Sequence, residues 1–280
     1  MIKIDLAKSA GFCFGVKRAL QIAFETAHSN KTVYMLGDIV HNDQVVKAIE
    51  NIGIKKIKRL GNGRDKILLI RAHGTSTVTL NRASQLGYRI VDATCPMVKE
   101  IHRIAREKEK QGYKLIVIGD KKHDEVLGII GQLKHKAMAI DSLQSIPLRS
   151  IRKIKKACVV VQSTQNLDNV LKIIKILKKN IKELVFFNTI CTPTRFKQQE
   201  IKRMSLANDV MVIIGSRESA NTRRLYEISK SLNEHSYWVQ SRDEIKPVWF
   251  RGAKTVGITA GASTPETTTQ VIIEHIKALV

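Results

Sequence analysis

Short apolar runs recur along the chain at intervals typical of proteins in which strands alternate with helices. Between them lie segments with helical spacing, such as 44–52 and 167–177. The runs are VYML at 33–36, ILLI at 67–70, LIVI at 115–118, CVVV at 158–161, LVFF at 184–187 and VMVII at 210–214. Because this alternation builds strand–helix–strand units, it predicts an α/β fold with mostly parallel sheets.

Three cysteines share a fixed distance to a glycine that follows an apolar run. Cys13, Cys95 and Cys191 are each followed 24 residues later by such a glycine, in the contexts YMLG, IVIG and VIIG. Four residues after each glycine comes a polar residue that we expect to open a helix, namely His41, His123 or Ser219. Self-similarity at a fixed offset indicates duplicated structural units.

The repeat divides the 280 residues into three small α/β units, although length alone suggests about two domains. We predict units at 1–95, 96–190 and 191–280, and we allow residues 1–12 to pack with the third unit. Three units related by a pseudo-threefold rotation would turn equivalent sheet edges towards one axis. The cysteines and nearby polar side chains would then converge on a central cavity.

A second set of polar residues follows further apolar runs. These are His73 in ILLIRAHGTS, Ser163 in VVVQSTQN and Ser263 in VGITAGASTPE. Ligands of parallel sheets bind beyond the carboxyl ends of strands, where glycine permits close backbone approach and helix N-termini favour anions. Together with His41, Asn42, His123, Ser219 and Asn221, these donors suit a phosphate or diphosphate group, although no Walker or GxGxxG motif is present.

The three repeat cysteines each precede a helix-compatible segment, and we interpret them as ligands of a shared metal. Three thiolates complete neither a tetrahedral zinc site nor a four-cysteine cluster, so one position stays open for substrate. A [4Fe–4S] cluster with one iron not bound by cysteine fits this count, and so does zinc with a water ligand. Cys158 lies within ACVVV, which predicts a buried structural thiol.

Glu125 follows His123 by two residues, in HDEV. A carboxyl at a helix start in a closed cavity becomes a proton donor if desolvation raises its pKa; the alternative is an ordinary first-turn glutamate that balances the helix dipole. Ser163 and Thr164 are candidates for orienting it. The remaining histidines, at 28, 102, 135, 235 and 275, are predicted on helix surfaces or loops and receive no role.

The formal net charge of +23 raises the possibility of nucleic-acid binding. However, the basic runs at 55–59, 152–156 and 175–179 alternate with isoleucine and leucine, and aromatic residues are only 5% of the chain. We therefore favour solvated faces, with docking of an acidic protein as another use. The sequence has no apolar run near the ~18 residues of a membrane helix, no signal-peptide pattern and no close cysteine pair. It predicts a cytoplasmic protein with reduced thiols that binds neither membrane nor nucleic acid.

Across essentially its whole length, the chain resembles the 4-hydroxy-3-methylbut-2-enyl diphosphate reductase (IspH or LytB) family. The motifs are GFCFGV at 11–16, VHND at 40–43, RAHGTS at 71–76, DATCP at 92–96, HDEVLG at 123–128, QST at 162–164, SRESAN at 216–221 and TAGASTP at 259–265. The resemblance implies a trefoil of three α/β domains around an iron–sulfur cluster. It also implies an oxidoreductase for the last step of the non-mevalonate (MEP) isoprenoid pathway, which converts an allylic alcohol diphosphate to isopentenyl and dimethylallyl diphosphate.

The resemblance also implies roles by position. The ligands of one [4Fe–4S] cluster with an open iron are Cys13, Cys95 and Cys191. Glu125 is the proton relay, assisted by His123 and Ser163. The substrate-binding residues are His41, His73, His123, Ser163, Ser219, Asn221 and Ser263. An acidic ferredoxin or flavodoxin would suit the chain's charge as electron donor. The sequence departs from the family at Phe14, Lys197 and Ala220, where a small residue, an arginine and a serine are frequent.

Three other functions stay open from the sequence. A non-redox hydro-lyase would use the same cluster only as a Lewis acid and would consume no electrons. A nucleic-acid-binding protein would use its cysteines structurally and be retained on DNA or RNA in a salt-dependent way. A zinc hydrolase would be revealed by metal analysis.

Overall fold

The computed structural model describes residues 2–29 and 31–279. Residues 1 and 280, which begin the first predicted unit and end the third, lie outside this description. The described residues form three four-stranded sheets, and every strand pair in them is parallel. The predicted α/β class with parallel sheets is therefore confirmed.

The chain divides into two compact units. Unit 1 takes its described residues from 1–17, 40–47 and 192–280, and unit 2 takes them from 18–39 and 48–191. Helices α1 (Phe14–Ala27) and α2 (Asp43–Asn51) begin in unit 1 and end in unit 2. The predicted boundaries of three sequence units stay a prediction.

Unit 1 contains one sheet, sheet A, with strand order β1-β12-β10-β11. Its strands are β1 (Lys3–Leu6), β10 (Val210–Ile214), β11 (Ser236–Val239) and β12 (Thr255–Ala260). Its helices are α8 (Thr192–Ala207), α9 (Ala220–Leu232) and α10 (Glu266–Leu279), with two short 3₁₀ turns at Arg242–Glu244 and Pro247–Phe250. The first strand, β1, pairs with the last, β12, so the start of the chain completes the sheet formed by its end.

Unit 2 contains two sheets with the same arrangement. Sheet B has the order β3-β2-β4-β5 and sheet C the order β7-β6-β8-β9. The strands of sheet B are β2 (Thr32–Leu36), β3 (Lys55–Ile57), β4 (Lys66–Ile70) and β5 (Arg89–Asp92), and those of sheet C are β6 (Lys114–Ile118), β7 (Met138–Ile140), β8 (Lys156–Val161) and β9 (Glu183–Phe186). The helices are α3 (Thr77–Gln85), α4 (Pro96–Lys110), α5 (Asp124–Ile130), α6 (Leu148–Ile151) and α7 (Leu167–Asn180).

The central strands are continuous apolar runs because helices cover both faces of a parallel sheet. All five residues of β10 are buried, and so are the last five of β8. Helix α7 buries Ile173 and Leu177 against sheet C, while its lysines at 175, 178 and 179 are exposed. This basic run is thus the solvated face of an amphipathic helix, as its spacing predicts.

Among the described residues, no helix combines the length and the apolar character needed to cross a membrane.

Candidate active site

Each repeat cysteine is the residue immediately before a helix. Helix α1 begins after Cys13, α4 after Cys95 and α8 after Cys191. All three side chains are half-buried. The amide groups of a helix N-terminus create a positive field that suits an anionic sulfur ligand and the centre it binds.

The three cysteines also occupy equivalent positions in the hydrogen-bond pattern. Each backbone N–H donates to a carbonyl two residues beyond the end of a central strand, which is β12, β4 or β8. The pairs are Cys13 to Ala262 at 3.1 Å, Cys95 to Ala72 at 2.9 Å and Cys191 to Ser163 at 3.0 Å. The 24-residue register of the sequence therefore reflects a structural repeat, in which each sheet presents one cysteine in the same way.

Cys158 occupies a different environment from the repeat cysteines. It lies within β8 and is fully buried among aliphatic side chains. Burial raises the pKa of its thiol to about 12, so the sulfur stays protonated at neutral pH. The four cysteines are thus of two kinds. Three are half-buried at helix starts and fit a thiolate-bound centre, and Cys158 is a structural thiol.

Glu125 is a buried carboxyl in the first turn of helix α5, with only 2% of its surface exposed. Its Oε1 accepts the Ser163 N–H at 2.6 Å, and its Oε2 accepts the Ser163 Oγ–H at 2.8 Å. Burial raises the pKa of Glu125 to about 6, although both hydrogen bonds from Ser163 act in the opposite direction. The carboxyl can therefore hold or release a proton near neutral pH, as general acid catalysis requires.

Ser163 contacts two candidate site residues at once. Its amide and hydroxyl bind the Glu125 carboxylate, and its carbonyl accepts the Cys191 N–H. The buried acid and one repeat cysteine are thus separated by a single residue of the loop after β8.

His123 caps helix α5, because its Nδ1 accepts the Glu125 N–H at 3.1 Å. In the neutral ring this bond leaves the proton on Nε2. The rings of His123 and His73 meet edge to face, with centroids 5.4 Å apart and an interplanar angle of 84°. Sheets B and C thereby bring two predicted substrate-binding histidines together in unit 2.

His73 is followed by a glycine that the packing requires. Gly74 has φ +74°, and a Cβ there would lie 2.7 Å from Cε1 of His102. His102 is itself buried, and burial lowers its pKa to about 4, with Arg106 contributing. The sequence prediction that placed His102 on a helix surface or loop is wrong: its ring packs beneath the turn that carries His73.

Unit 1 brings together two other predicted substrate-binding residues. The Ser263 Oγ donates to the His41 carbonyl at 3.3 Å. The sequence predicts that His41 opens the following helix, α2. Instead, Asn42 is the N-cap, because its Oδ1 accepts the N–H groups of Gln44 at 3.0 Å and Val45 at 3.2 Å and α2 begins at Asp43.

Ser219 caps helix α9 as expected, since its Oγ accepts the Thr222 N–H at 3.3 Å. The next residue but one, Asn221, is only 4% exposed, and within the described part of the chain its Nδ2 has no hydrogen-bond partner. A buried amide donor without an acceptor is costly. It is the kind of group that an anionic ligand would satisfy.

Lys197 has a structural role that the sequence did not reveal. The residue is 3% exposed, and its Nζ donates to the carbonyls of Gly11 at 3.1 Å, Ala260 at 3.0 Å and Ser9. Burial lowers the pKa of Lys197 to about 8. The ammonium group therefore holds the turn that leads to Cys13.

Glu200, one helical turn further on, supports the same turn. Its carboxylate accepts the N–H groups of Lys8 and Ser9, both at 2.9 Å, and the Ser9 Oγ–H at 2.5 Å. In the sequence, Lys197 stands out only because an arginine is frequent at this position in the family. Its place on the buried stripe of α8, between Thr194 and Ile201, was the available signal.

Equivalent cysteines at three helix starts, together with a buried carboxyl of raised pKa, define an α/β protein suited to a thiolate-bound centre and proton transfer. The LytB protein family model matches residues 4–277, so the chain belongs to this family. The family implies an iron–sulfur cluster.

Two relatives that share one name are similar to this chain over nearly its whole length. A Geobacter metallireducens protein named 4-hydroxy-3-methylbut-2-enyl diphosphate reductase is 39% identical over 278 residues, which are 99% of this chain and 98% of the relative. A protein of the same name from Aquifex aeolicus is 38% identical over 282 residues, covering 99% and 96%.

Solved structures give the same result. One is described as (E)-4-hydroxy-3-methyl-but-2-enyl diphosphate reductase, the terminal enzyme of the non-mevalonate pathway. It is 37% identical, with a TM-score of 0.73 and coverage of 99% of this chain and 100% of that one. The reductase from Plasmodium falciparum has a TM-score of 0.88 at 28% identity, covering 98% and 87%.

Proposed function

We propose that this chain removes the hydroxyl group of 4-hydroxy-3-methylbut-2-enyl diphosphate by reduction, giving isopentenyl diphosphate and dimethylallyl diphosphate. This reaction is the last step of the non-mevalonate isoprenoid pathway. The observation that carries the proposal is the buried Glu125 carboxyl, bound by Ser163 next to Cys191, in a chain of the LytB family.

The reaction consumes two electrons and two protons. The allylic C–O bond breaks and a C–H bond forms in the carbon skeleton. One proton leaves with the hydroxyl oxygen as water, and the other remains on carbon. A hydro-lyase would need no electrons, so dependence on a reductant separates the two reactions.

Cys13, Cys95 and Cys191 are proposed to hold one [4Fe–4S] cluster with a fourth iron open to substrate. Their equivalent positions at three helix starts support this assignment. When bound, the cluster would supply a Lewis-acid site and the electrons. Zinc also accepts three thiolates, but it has no redox chemistry and cannot supply the electrons of this reaction.

Glu125 is proposed to protonate the departing hydroxyl oxygen. Its pKa of about 6 leaves a useful protonated fraction near neutral pH. Ser163 fixes the carboxyl through two hydrogen bonds, so the proton is presented from a defined position. His123, whose Nδ1 is occupied by the Glu125 amide, can present its Nε2–H to substrate.

The diphosphate is proposed to lie among His41, His73, His123, Ser163, Ser219, Asn221 and Ser263. These side chains offer hydrogen bonds without a block of fixed charge, and the buried Asn221 amide supplies a donor for a phosphate oxygen. Binding the diphosphate would hold the allyl fragment in place for reaction. Ala220 offers no hydroxyl where many family members have a second serine.

The experiment is turnover of the purified substrate under anaerobic conditions, with and without a chemical reductant. Wild-type protein is expected to form both products only with reductant. Glu125→Gln is expected to keep its iron and lose most of its turnover, because the amide cannot donate a carboxyl proton. Product formation without reductant would contradict the proposed reaction, and normal turnover of Glu125→Gln would contradict the role of that residue.

A further inference from the structure

A groove of about 650 Å³ runs along unit 1 beside Cys13. We propose that this groove is the docking surface for an acidic protein that carries single electrons. The inference rests on the proposed function, because it assigns a reductant partner to the same centre. It adds the surface on which that partner binds.

The floor of the groove is apolar although it faces solvent. Phe12, Pro193 and Phe196 line it, and Phe196 on helix α8 is 61% exposed. An aromatic side chain this exposed buries only a minor part of its surface in the fold. Exposed aromatic residues within a charged rim are typical of protein–protein interfaces.

The rim of the groove is basic. Lys8 and Arg203 contribute two exposed cations against the single carboxylate of Glu200, while Lys197 also lines the groove but is buried and bound to three backbone carbonyls. The Glu200 carboxylate is already bound to the amides of Lys8 and Ser9 and to the Ser9 hydroxyl. The local excess of positive charge has the same sign as the whole chain, which carries +23. Such a surface attracts an acidic partner and accelerates its association.

Cys13 lines the groove, and this position relates docking to electron transfer. A partner seated there would lie against a proposed ligand of the redox centre. Lys197 and Glu200 hold the turn before Cys13, so the docking surface and the cysteine belong to one rigid piece of structure. In each encounter the carrier would lose one electron and the centre would gain it, and two encounters would supply the two electrons of the reaction.

The test compares two variants in the groove with two matched exposed positions elsewhere in unit 1. Arg203→Glu reverses a rim charge and Phe196→Ala removes the aromatic floor; Arg251→Glu and Val248→Ala are the controls, since neither residue lines the groove. Each variant is prepared anaerobically and its iron content is compared with wild type. The affinity for a purified acidic ferredoxin is then measured by calorimetry at low and high salt.

Each groove variant is expected to weaken ferredoxin binding about tenfold, and Arg203→Glu also to reduce the salt dependence. The controls should stay within about twofold of wild type. Turnover with reduced methyl viologen should be unchanged, because a small reductant does not need the docking surface.

Unchanged ferredoxin affinity in both groove variants would overturn the inference, and so would an equal loss in the controls. An equal fold-loss of ferredoxin affinity and of turnover with methyl viologen would also overturn it, since the residues would then act on the centre itself. Failure of wild-type protein to reduce the substrate with methyl viologen would instead reject the proposed function, while ferredoxin affinity could still be measured.

Discussion

Replacing Glu125 by glutamine should make the protein more stable at alkaline pH while it removes the proposed acid. Glutamine has the shape of the protonated carboxyl. Its Oε1 can still accept the Ser163 N–H, and its Nε2 can donate to the Ser163 Oγ. The substitution therefore removes a buried charge and keeps both contacts with Ser163.

The expected gain follows from the pKa of the buried carboxyl. Burial raises the pKa of Glu125 from its ordinary value of 4.5 to about 6 in the folded protein. Because the folded state binds the proton more tightly than the unfolded state, the carboxyl favours folding most at low pH. That contribution is lost as pH rises from 4.5 through about 6. The difference corresponds to about 2 kcal/mol above pH 7.

Urea unfolding at pH 8.0 and pH 4.5 tests this reasoning. Glu125→Gln should exceed wild type by about 2 kcal/mol at pH 8.0 and by less than about 0.5 kcal/mol at pH 4.5. Glu274→Gln, on the exposed surface of α10, controls for removal of a carboxylate. A variant no more stable than wild type at pH 8.0, or equally stabilised at both pH values, would refute the argument.

Two further predictions concern residues around this site. Ser163→Ala removes a hydrogen bond to the ionised Glu125, so it should move the alkaline limb of the kcat/KM profile upward by about one pH unit. Ser163→Thr should retain the wild-type profile. If the alkaline limb is unchanged in both variants, Ser163 does not affect the proton transfer. Gly74→Ala should lower the free energy of unfolding by about 1–3 kcal/mol more than Gly112→Ala does. Both glycines have positive φ, but only Gly74 packs against His102. Equal losses of stability in urea unfolding would contradict the packing argument.

The sequence predicts the central strands well because parallel strands are buried on both faces. Five of the six predicted apolar runs lie wholly within interior strands, in β2, β4, β6, β8 and β10, and the sixth, LVFF, overlaps the edge strand β9 and ends one residue beyond it. Edge strands such as β3, with the sequence KKI, and β11, with SYWV, are short and partly exposed, so they leave no continuous apolar signal. Helix α2 was expected at 44–52 and spans Asp43–Asn51.

The candidate site shows a similar division. The cysteine register predicts helix starts, and the structure has a helix after each of the three cysteines. The raised pKa of Glu125 comes from its burial, which depends on the packing of the whole unit and which a local pattern cannot reveal, while the hydrogen bonds from Ser163, 38 positions away, oppose the rise. His102 lies on the buried stripe of α4 beside Val98 and Ile101, although its position in the sequence was compatible with a helix surface or loop. Residue spacing is therefore enough to predict the helix starts, whereas the properties of Glu125 and His102 depend on side-chain burial.

The most direct measurement is the iron and sulfide content of anaerobically purified protein, compared among four cysteine-to-serine variants. Wild type and Cys158→Ser should each contain about four iron and four sulfide per chain and absorb in the visible range. Serine at Cys13, Cys95 or Cys191 should abolish retention of the cluster in each case. Colourless wild-type protein that contains only zinc, or a Cys158→Ser variant that loses iron as the other three do, would contradict the account.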